Sequence, residues 1–429
     1  MVQLLLFGVL AISLALTVPI GLSLGLAAAA AILYSFPGTP MMGMLAQSMV
    51  TSIDSFPLMA IPFFMMLGIL MEKGGLAQKL VDVGSACSGA TPGGLGNAAI
   101  VSAMFFSTIS GSGPAVVAAI GAIMIPAMKQ RGYPPEYSAA LVASASVAGP
   151  ILPPSIPMII YGATIGVSII RLFTAGIVPG IIMFVAMAGM NYLISKQRGY
   201  VGVPREGGIT WILKKCGSAF WALLMPVVVL GGIYGGFFTP TEAAVVGVIY
   251  ALLVSVFVYR ALTLRGFFDS LLQATLLSAI VMVVMGSATT FGRVLTIERI
   301  PEMLANAILT VTDNPILIMI MINVILLVIG MFIDPISAII LLAPLLTPIA
   351  LVAGYDTTSF GLIMIINVCI GFITPPLAVG IFVAQGIAGV SFEAILKNVW
   401  PYLLTLLGVL IIFIIFPQII TFLPDMLGM

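Results

Sequence analysis

Ser107, Thr108, Ser110 and Ser112 lie within Phe106-Ser-Thr-Ile-Ser-Gly-Ser-Gly-Pro114, in the middle of an apolar run. A helix this rich in Gly, Ser and Pro is expected to break there. Non-helical backbone at membrane depth persists only when buried in protein or facing a watery cavity. The hydroxyls and the freed carbonyls are hard oxygen donors suited to Na+, and the N-terminus of a following half-helix favours an anion. Small residues also let membrane helices pack closely, so this segment taken alone supports either reading.

Gly149-Pro-Ile-Leu-Pro-Pro-Ser-Ile-Pro157 holds four prolines in nine residues, too many for unbroken helical turns. Its echo is Gly371-Phe-Ile-Thr-Pro-Pro376. If each Pro-Pro break faces a hairpin tip, two related ion sites result. The first takes Ser107 and Ser110 with the backbone carbonyls of Gly149, Leu152 and Pro154. The second takes the tip Gly330 to Asp334, including Phe332, with Gly371, Thr374 and Pro376.

Asp334 is the lone acid between Asp313 and Asp356. A carboxylate in an apolar membrane core costs about 2.5–3.5 kcal/mol, so it needs a cation, a serine or helix N-terminal amides as partner. Ahead of Pro335 it also has the form of a helix cap, and both roles can coexist. Thr239-Pro-Thr-Glu242 reads as a helix start. Arg171, Arg293 and Arg299 are candidate attractors of an anion.

The elements that must position these residues are membrane helices. Hydrophobic residues make up 61% of 429 and charged residues 7%, against about 25% in soluble domains. No charge occurs over Met1 to Ile53, Val83 to Met128, Tyr137 to Ile170, Leu172 to Ser195 or Thr357 to Phe392. These runs are continuously apolar, which excludes alternating barrel strands. The first run has no Lys or Arg ahead of it, so a membrane helix rather than a cleaved signal peptide is expected. There is no His and no Gly-Lys, so neither a His-based proton relay nor a Walker A loop for ATP is available. A net charge of +1 argues against a nucleic-acid partner. An intramembrane enzyme would need a paired-Asp or Ser-His site, and neither is evident.

The chain also repeats itself. Gly132-Tyr133 and Pro153-Pro154 recur as Gly354-Tyr355 and Pro375-Pro376, both 222 residues on. Pro19, Pro92, Pro114 and Pro126 have partners at Pro240, Pro315, Pro335 and Pro348. Internal duplication with helix breakers at matching places points to a secondary transporter.

The expected fold is all-α and polytopic, with two inverted-topology repeats, 1–202 and 203–429. Each half reads as two helices (2–17, 19–35; 218–236, 240–259), a third crossing (54–72; 270–292) and a short amphipathic segment (75–88; 300–312). A re-entrant hairpin (95–128; 315–352), a broken helix (135–170; 358–392) and a final helix (172–195; 398–424) follow. Five crossings per half invert the second half. With both termini outside, twelve of the fifteen Lys and Arg fall inside, as the positive-inside rule requires. Broken helices in both halves suit alternating access better than a channel.

Gly231-Gly-Ile-Tyr-Gly-Gly-Phe-Phe-Thr-Pro-Thr-Glu-Ala-Ala244, the Ser-Gly-Ser-Gly-Pro tip and the Leu-Pro-Pro-Ser-Ile-Pro break together resemble the large membrane subunit of TRAP transporters. The resemblance covers essentially the whole chain. It implies a Na+-driven importer of an organic acid, sialic acid or a C4-dicarboxylate, in a bacterial inner membrane, independent of ATP. It further implies a small four-helix membrane subunit, a periplasmic substrate-binding protein and an elevator motion of hairpins and broken helices. The family's sodium sites match the residues named above. Ser112, Ser155, Asp334 and Arg293 are then the candidate substrate contacts. The rival reading is a self-sufficient Na+/carboxylate or ion transporter of similar architecture.

Overall fold

The computed structural model describes residues 1–35, 39–88, 91–200, 209–310, 312–376 and 378–429. The expected boundary between residues 202 and 203, and the junction residue Arg205, lie outside these. The described residues form helices joined by short turns. In order they are α1 (Val2–Ala15), α2 (Ile20–Ser35), α3 (Thr39–Ile53), α4 (Ala60–Lys73), α5 (Leu76–Ser88), α6 (Gly94–Ser110) and α7 (Gly113–Gln130). Next come α8 (Pro135–Ala145), α9 (Ile156–Ile165), α10 (Ile169–Arg198), α11 (Ile209–Ser218), α12 (Phe220–Tyr234), α13 (Pro240–Leu253) and α14 (Leu264–Ile297). The last are α15 (Ile300–Leu309), α16 (Pro315–Gly330), α17 (Pro335–Val352), α18 (Thr357–Gly371), α19 (Val379–Ala388), α20 (Phe392–Ile415) and α21 (Gln418–Met426).

Polar residues just ahead of the apolar runs set several starts. Asp356 accepts from the amides of Thr358 (2.8 Å) and Ser359 (3.1 Å), and Asn314 from that of Ile316 (3.0 Å). The helix start expected at Thr239-Pro-Thr-Glu242 is observed, and there Thr239 and Glu242 form a reciprocal capping box. Eight helices among the described residues are long and apolar enough to cross a membrane. The chain is thus a polytopic helical membrane protein. The expected first two crossings, α1 and α2, are shorter, at 14 and 16 residues.

The third expected crossing differs between the halves. In the second it is the unbroken 34-residue α14. In the first it is the 18-residue Phe56–Lys73 segment, close to the expected 54–72, and an additional helix, α3, precedes it across Asp54 and Ser55. The final segment also departs from expectation, since α20 stops ahead of Pro417 and α21 follows.

One group of helices comprises α1 to α4 with α12 to α14. Within it, Thr241 donates to the carbonyl of Phe56 (3.0 Å) and Gly247 packs on Leu67, so α13 runs parallel to the Phe56–Lys73 segment. Gly21 meets Val283 and Val284, and Gly25 meets Ser287, so α2 runs parallel to α14. Ser278 approaches Met65 and Gly286 approaches Met49, which makes α14 antiparallel to α3 and α4.

A second group comprises α6 to α9 and α16 to α19, with α10 and α20 packed on them. Here α7 lies against α19, and α17 against α9. α5 packs on α6 and α11, and α15 on α17.

Candidate ion and substrate site

The first hairpin turns through Gly111 and Ser112. Gly111 takes φ +55°, a left-handed conformation that a side chain resists, and Ser112 is extended at φ −134°. The tip then presses on the first break. A methyl placed on Gly111 would stand 2.6 Å from the carbonyl oxygen of Pro154, and one on Gly149 would stand 3.1 Å from the Ser107 hydroxyl. So Ser107 meets Gly149, and the turn beside Ser110 meets Pro154. Ser107, Ser110 and Ser155 are all buried. The Ser107 hydroxyl donates to Ala103 O at 2.5 Å, which leaves its lone pairs free to face a cation. Ser110 accepts only a long 3.5 Å contact from the Ser112 amide. The break itself is a 3-10 turn (Ser146–Ile151) followed by Leu152 to Ser155, and every residue of it is buried. Leu152 places its side chain against Gly180 of α10.

The second hairpin turns through Met331 to Asp334. A methyl on Gly371 would lie 2.5 Å from the carbonyl carbon and 2.7 Å from the oxygen of Gly330, so the two backbones touch. Thr374 is buried and donates to Ile370 O at 2.8 Å. Both Pro-Pro bonds, Pro153-Pro154 and Pro375-Pro376, are cis. The two breaks adjoin: a methyl on Gly113 would stand 3.4 Å from Ser146 O and 3.6 Å from the Phe372 ring. One tip and both breaks therefore converge around Gly113.

The outer residues are placed differently from expectation. Asp334 is exposed rather than set in an apolar core, and its Oδ1 accepts from the Ser337 amide at 3.0 Å, capping α17. Its partner is thus a helix N-terminus. Phe332 on the second tip and Pro376 at the end of the second break are also exposed, whereas every residue of the first break is buried. Ser112 is half-buried at the start of α7, and its side chain makes no capping bond, so its hydroxyl remains available. Ser155 is committed to its own break: its hydroxyl donates to Pro150 O and accepts from the Met158 amide. Arg293 is exposed on α14 with no ion pair to a described residue. Arg171, by contrast, is paired with Asp425 at 3.0 Å.

Three features behind the site were not anticipated. Asn367 of α18 donates to both Asn323 O (2.9 Å) and Asn323 Oδ1 (2.7 Å) of α16, tying the second hairpin to its broken helix. Tyr137 joins Asn191 (2.7 Å) and Tyr402 (2.8 Å), linking α8, α10 and α20. Phe372 packs on Gly380 and beside Gly113, so it stands at the meeting of the two breaks. A lone Asn in each of two otherwise apolar runs was the available signal for the first. The second needed the tertiary contacts of three distant segments.

Residues 7–419 match the family described as tripartite ATP-independent periplasmic transporter, DctM component. The chain is 46% identical over 96% of its length to the isethionate TRAP transporter permease protein DctMQ of Oleidesulfovibrio alaskensis. It is 36% identical, again over 96%, to the sialic acid TRAP transporter permease protein SiaT of Haemophilus influenzae. It spans about two-thirds of those relatives, 65% and 66% of their lengths. With the C4-dicarboxylate TRAP transporter large permease protein DctM of Pseudomonas aeruginosa, the match is 38% identical and covers 95% of both chains. These relatives are permeases, not enzymes. Among solved structures, the Alcanivorax borkumensis YdaH transporter shares the fold at 14% identity, with a TM-score of 0.60 over 87% of this chain and 88% of that one. The chain belongs to the DctM family, the large permease component of the TRAP transporters.

Proposed function

We propose that the chain moves a small organic anion into the cell, coupled to Na+, across a bacterial inner membrane. The observation that carries this reading is the contact of each hairpin tip with its own break in a DctM-family chain: Gly111 on Pro154, and Gly330 on Gly371. The first ion is held by Ser107, Ser110 and the carbonyls of Gly149, Leu152 and Pro154. The second is held at Gly330, Phe332 and Asp334 with Gly371, Thr374 and Pro376. The substrate anion lies between, against Ser112, with Asp334 and Arg293 near its path. Identities of 46% to an isethionate permease and 36% to a sialic acid permease do not single out the sialic-acid branch, so a sulfonate joins the carboxylates as a candidate.

The halves are inverted repeats. The parallel pairing of α2 with α14 and of α13 with the Phe56–Lys73 segment supports this, because exchanging the halves exchanges the two pairs. The exchange of α7–α19 with α17–α9 supports it too. The first helix of each hairpin, α6 or α16, holds 17 or 16 residues, about 24–26 Å at 1.5 Å per residue. That falls short of a hydrocarbon core of about 30 Å, which favours re-entrant hairpins, although α7 and α17, at 18 residues, are long enough to cross. The hairpins and broken helices, with α10 and α20, move as one body against the first group, and both termini face the periplasm. Two Na+ with one monoanion carry one net charge inward, which contributes about 2.3 kcal/mol per 100 mV.

A small membrane subunit and a periplasmic binding protein complete the transporter. Reconstitution into liposomes tests the reading. Uptake of one acid from a panel of isethionate, sialic acid and C4-dicarboxylates is expected only with Na+ and both partners present. Uptake by this chain alone would instead assign a self-sufficient carrier.

A further inference from the structure

A cluster of basic side chains at one end of the first helix group has no part in the transport reading. α4 and α13 run parallel and α14 runs antiparallel to them, so the end of α4, the end of α13 and the start of α14 share one end of that group. Lys73 ends α4. The next residue, Gly74, touches Ser255 in the π turn (Val254–Val258) that prolongs α13, and a side chain there would collide with it. A methyl on Gly75 would stand 3.4 Å from Ala261 Cβ. Lys79, at the start of α5, holds its Nζ 5.8 Å from the centre of the Tyr259 ring. Arg260 follows, exposed, at φ 51°, a backbone that a residue with a side chain adopts only under constraint. Lys73, Lys79 and Arg260 thus gather around one turn.

The charges nearby leave this cluster positive. Lys215 is spent on Asp82 at 3.3 Å, while Lys214 and Arg265 are exposed. At this end of these elements the acids are Glu72, Asp82 and Asp269, three against the six bases Lys73, Lys79, Lys214, Lys215, Arg260 and Arg265. Apolar surface adjoins the bases: Phe257 is 69% and Phe268 58% exposed, with Val258 beside them. Trp221, whose carbonyl accepts from the Tyr250 hydroxyl at 2.8 Å, and Trp211 on α11 add aromatic rings of the kind that sit at a membrane boundary. α11 itself bends 64° away from α12. Cations beside exposed hydrocarbon at a helix-bundle end match a molecule that carries a phosphate and acyl chains together, not a free anion.

We propose that Lys73, Lys79 and Arg260 form the headgroup site of an anionic phospholipid. Its phosphodiester takes the three cations, and its chains lie along Phe257, Val258 and Phe268. The site does not depend on Na+ coupling or on the substrate, so its test stands apart from the transport assay.

Native mass spectrometry of the full chain in detergent, titrated with phosphatidylglycerol or with phosphatidylcholine of the same acyl chains, reads the site directly. The wild type is expected to bind phosphatidylglycerol at least about tenfold more tightly, from roughly fivefold per basic side chain. K73Q/K79Q/R260Q is expected to lose most of that preference, and K129Q/R131Q/K397Q, with the same charge removed elsewhere, to keep it. Should the first triple variant not fold, the single changes K79Q and R260Q carry the test, each expected to cost about fivefold. Equal binding of the two lipids, an undiminished preference in the site variants, or an equal loss in the matched control would overturn the proposal. So would displacement of the lipid by millimolar inorganic phosphate, which would make this a free-anion site.

Discussion

Gly371→Ala isolates the contact on which the proposed second ion site depends. Gly371 ends α18 in an ordinary backbone conformation, so alanine suits it and the cost is purely steric. The added methyl would stand 2.5 Å from the carbonyl carbon of Gly330, 2.7 Å from its oxygen and 2.8 Å from its Cα. All three are backbone atoms, which no rotamer change can move aside. Restoring normal contact pushes the second hairpin away from its broken helix by roughly 0.6–0.9 Å, and overpacking of this kind costs about 1–3 kcal/mol. That energy is equivalent to about a 5- to 150-fold change in an equilibrium constant. The expected result is a Na+ half-saturation for uptake raised within that range, with lowered thermal stability in detergent. Gly408→Ala is the control, because nothing lies within 4 Å of its Cβ position in the middle of α20. There alanine is expected to be neutral or to stabilise by up to about 1 kcal/mol. A G371A protein with wild-type melting and a wild-type sodium titration would refute the argument that the tip closes on Gly371.

Asp334→Asn separates the cap from the charge. Asn caps helices as well as Asp, so thermal stability should change by no more than about 0.5 kcal/mol, while uptake falls at least about tenfold. Wild-type uptake would reduce Asp334 to a cap. Ser110→Ala and Thr374→Ala should each shift the sodium titration to higher concentration without loss of membrane insertion; unchanged titrations in both would remove these hydroxyls from the ion sites.

The breaks and tips were legible because proline and glycine act locally. Pro153-Pro154 forbids helix whatever surrounds it, and the observed hairpin helices begin and end within about two residues of the expected bounds. α3 and α11 were not read from the sequence. α3 carries no charge and only weak amphipathicity, while α11 lies in the polar junction, where Lys214 and Lys215 resemble loop residues. The exposure of Asp334 was equally hidden. A lone carboxylate in an apolar run looks the same whether the run is enclosed or opens at a surface, and only packing decides. The Tyr137–Asn191–Tyr402 set needed residues from three segments to meet, which no local spacing encodes.

The crossed packing of α7 on α19 and of α17 on α9 also has a consequence for biosynthesis. When α7 ends at Gln130, the helix that will cover it ends only at Ala388, 258 residues later. At about 5–20 residues per second, the ribosome needs roughly 13–50 s to deliver it. Through that interval the first half sits in the bilayer with one flank of its hairpin bare, open to a second nascent chain or to a membrane protease. A half-chain released early would never lose that exposed flank, so truncated products should be cleared while full-length chains persist.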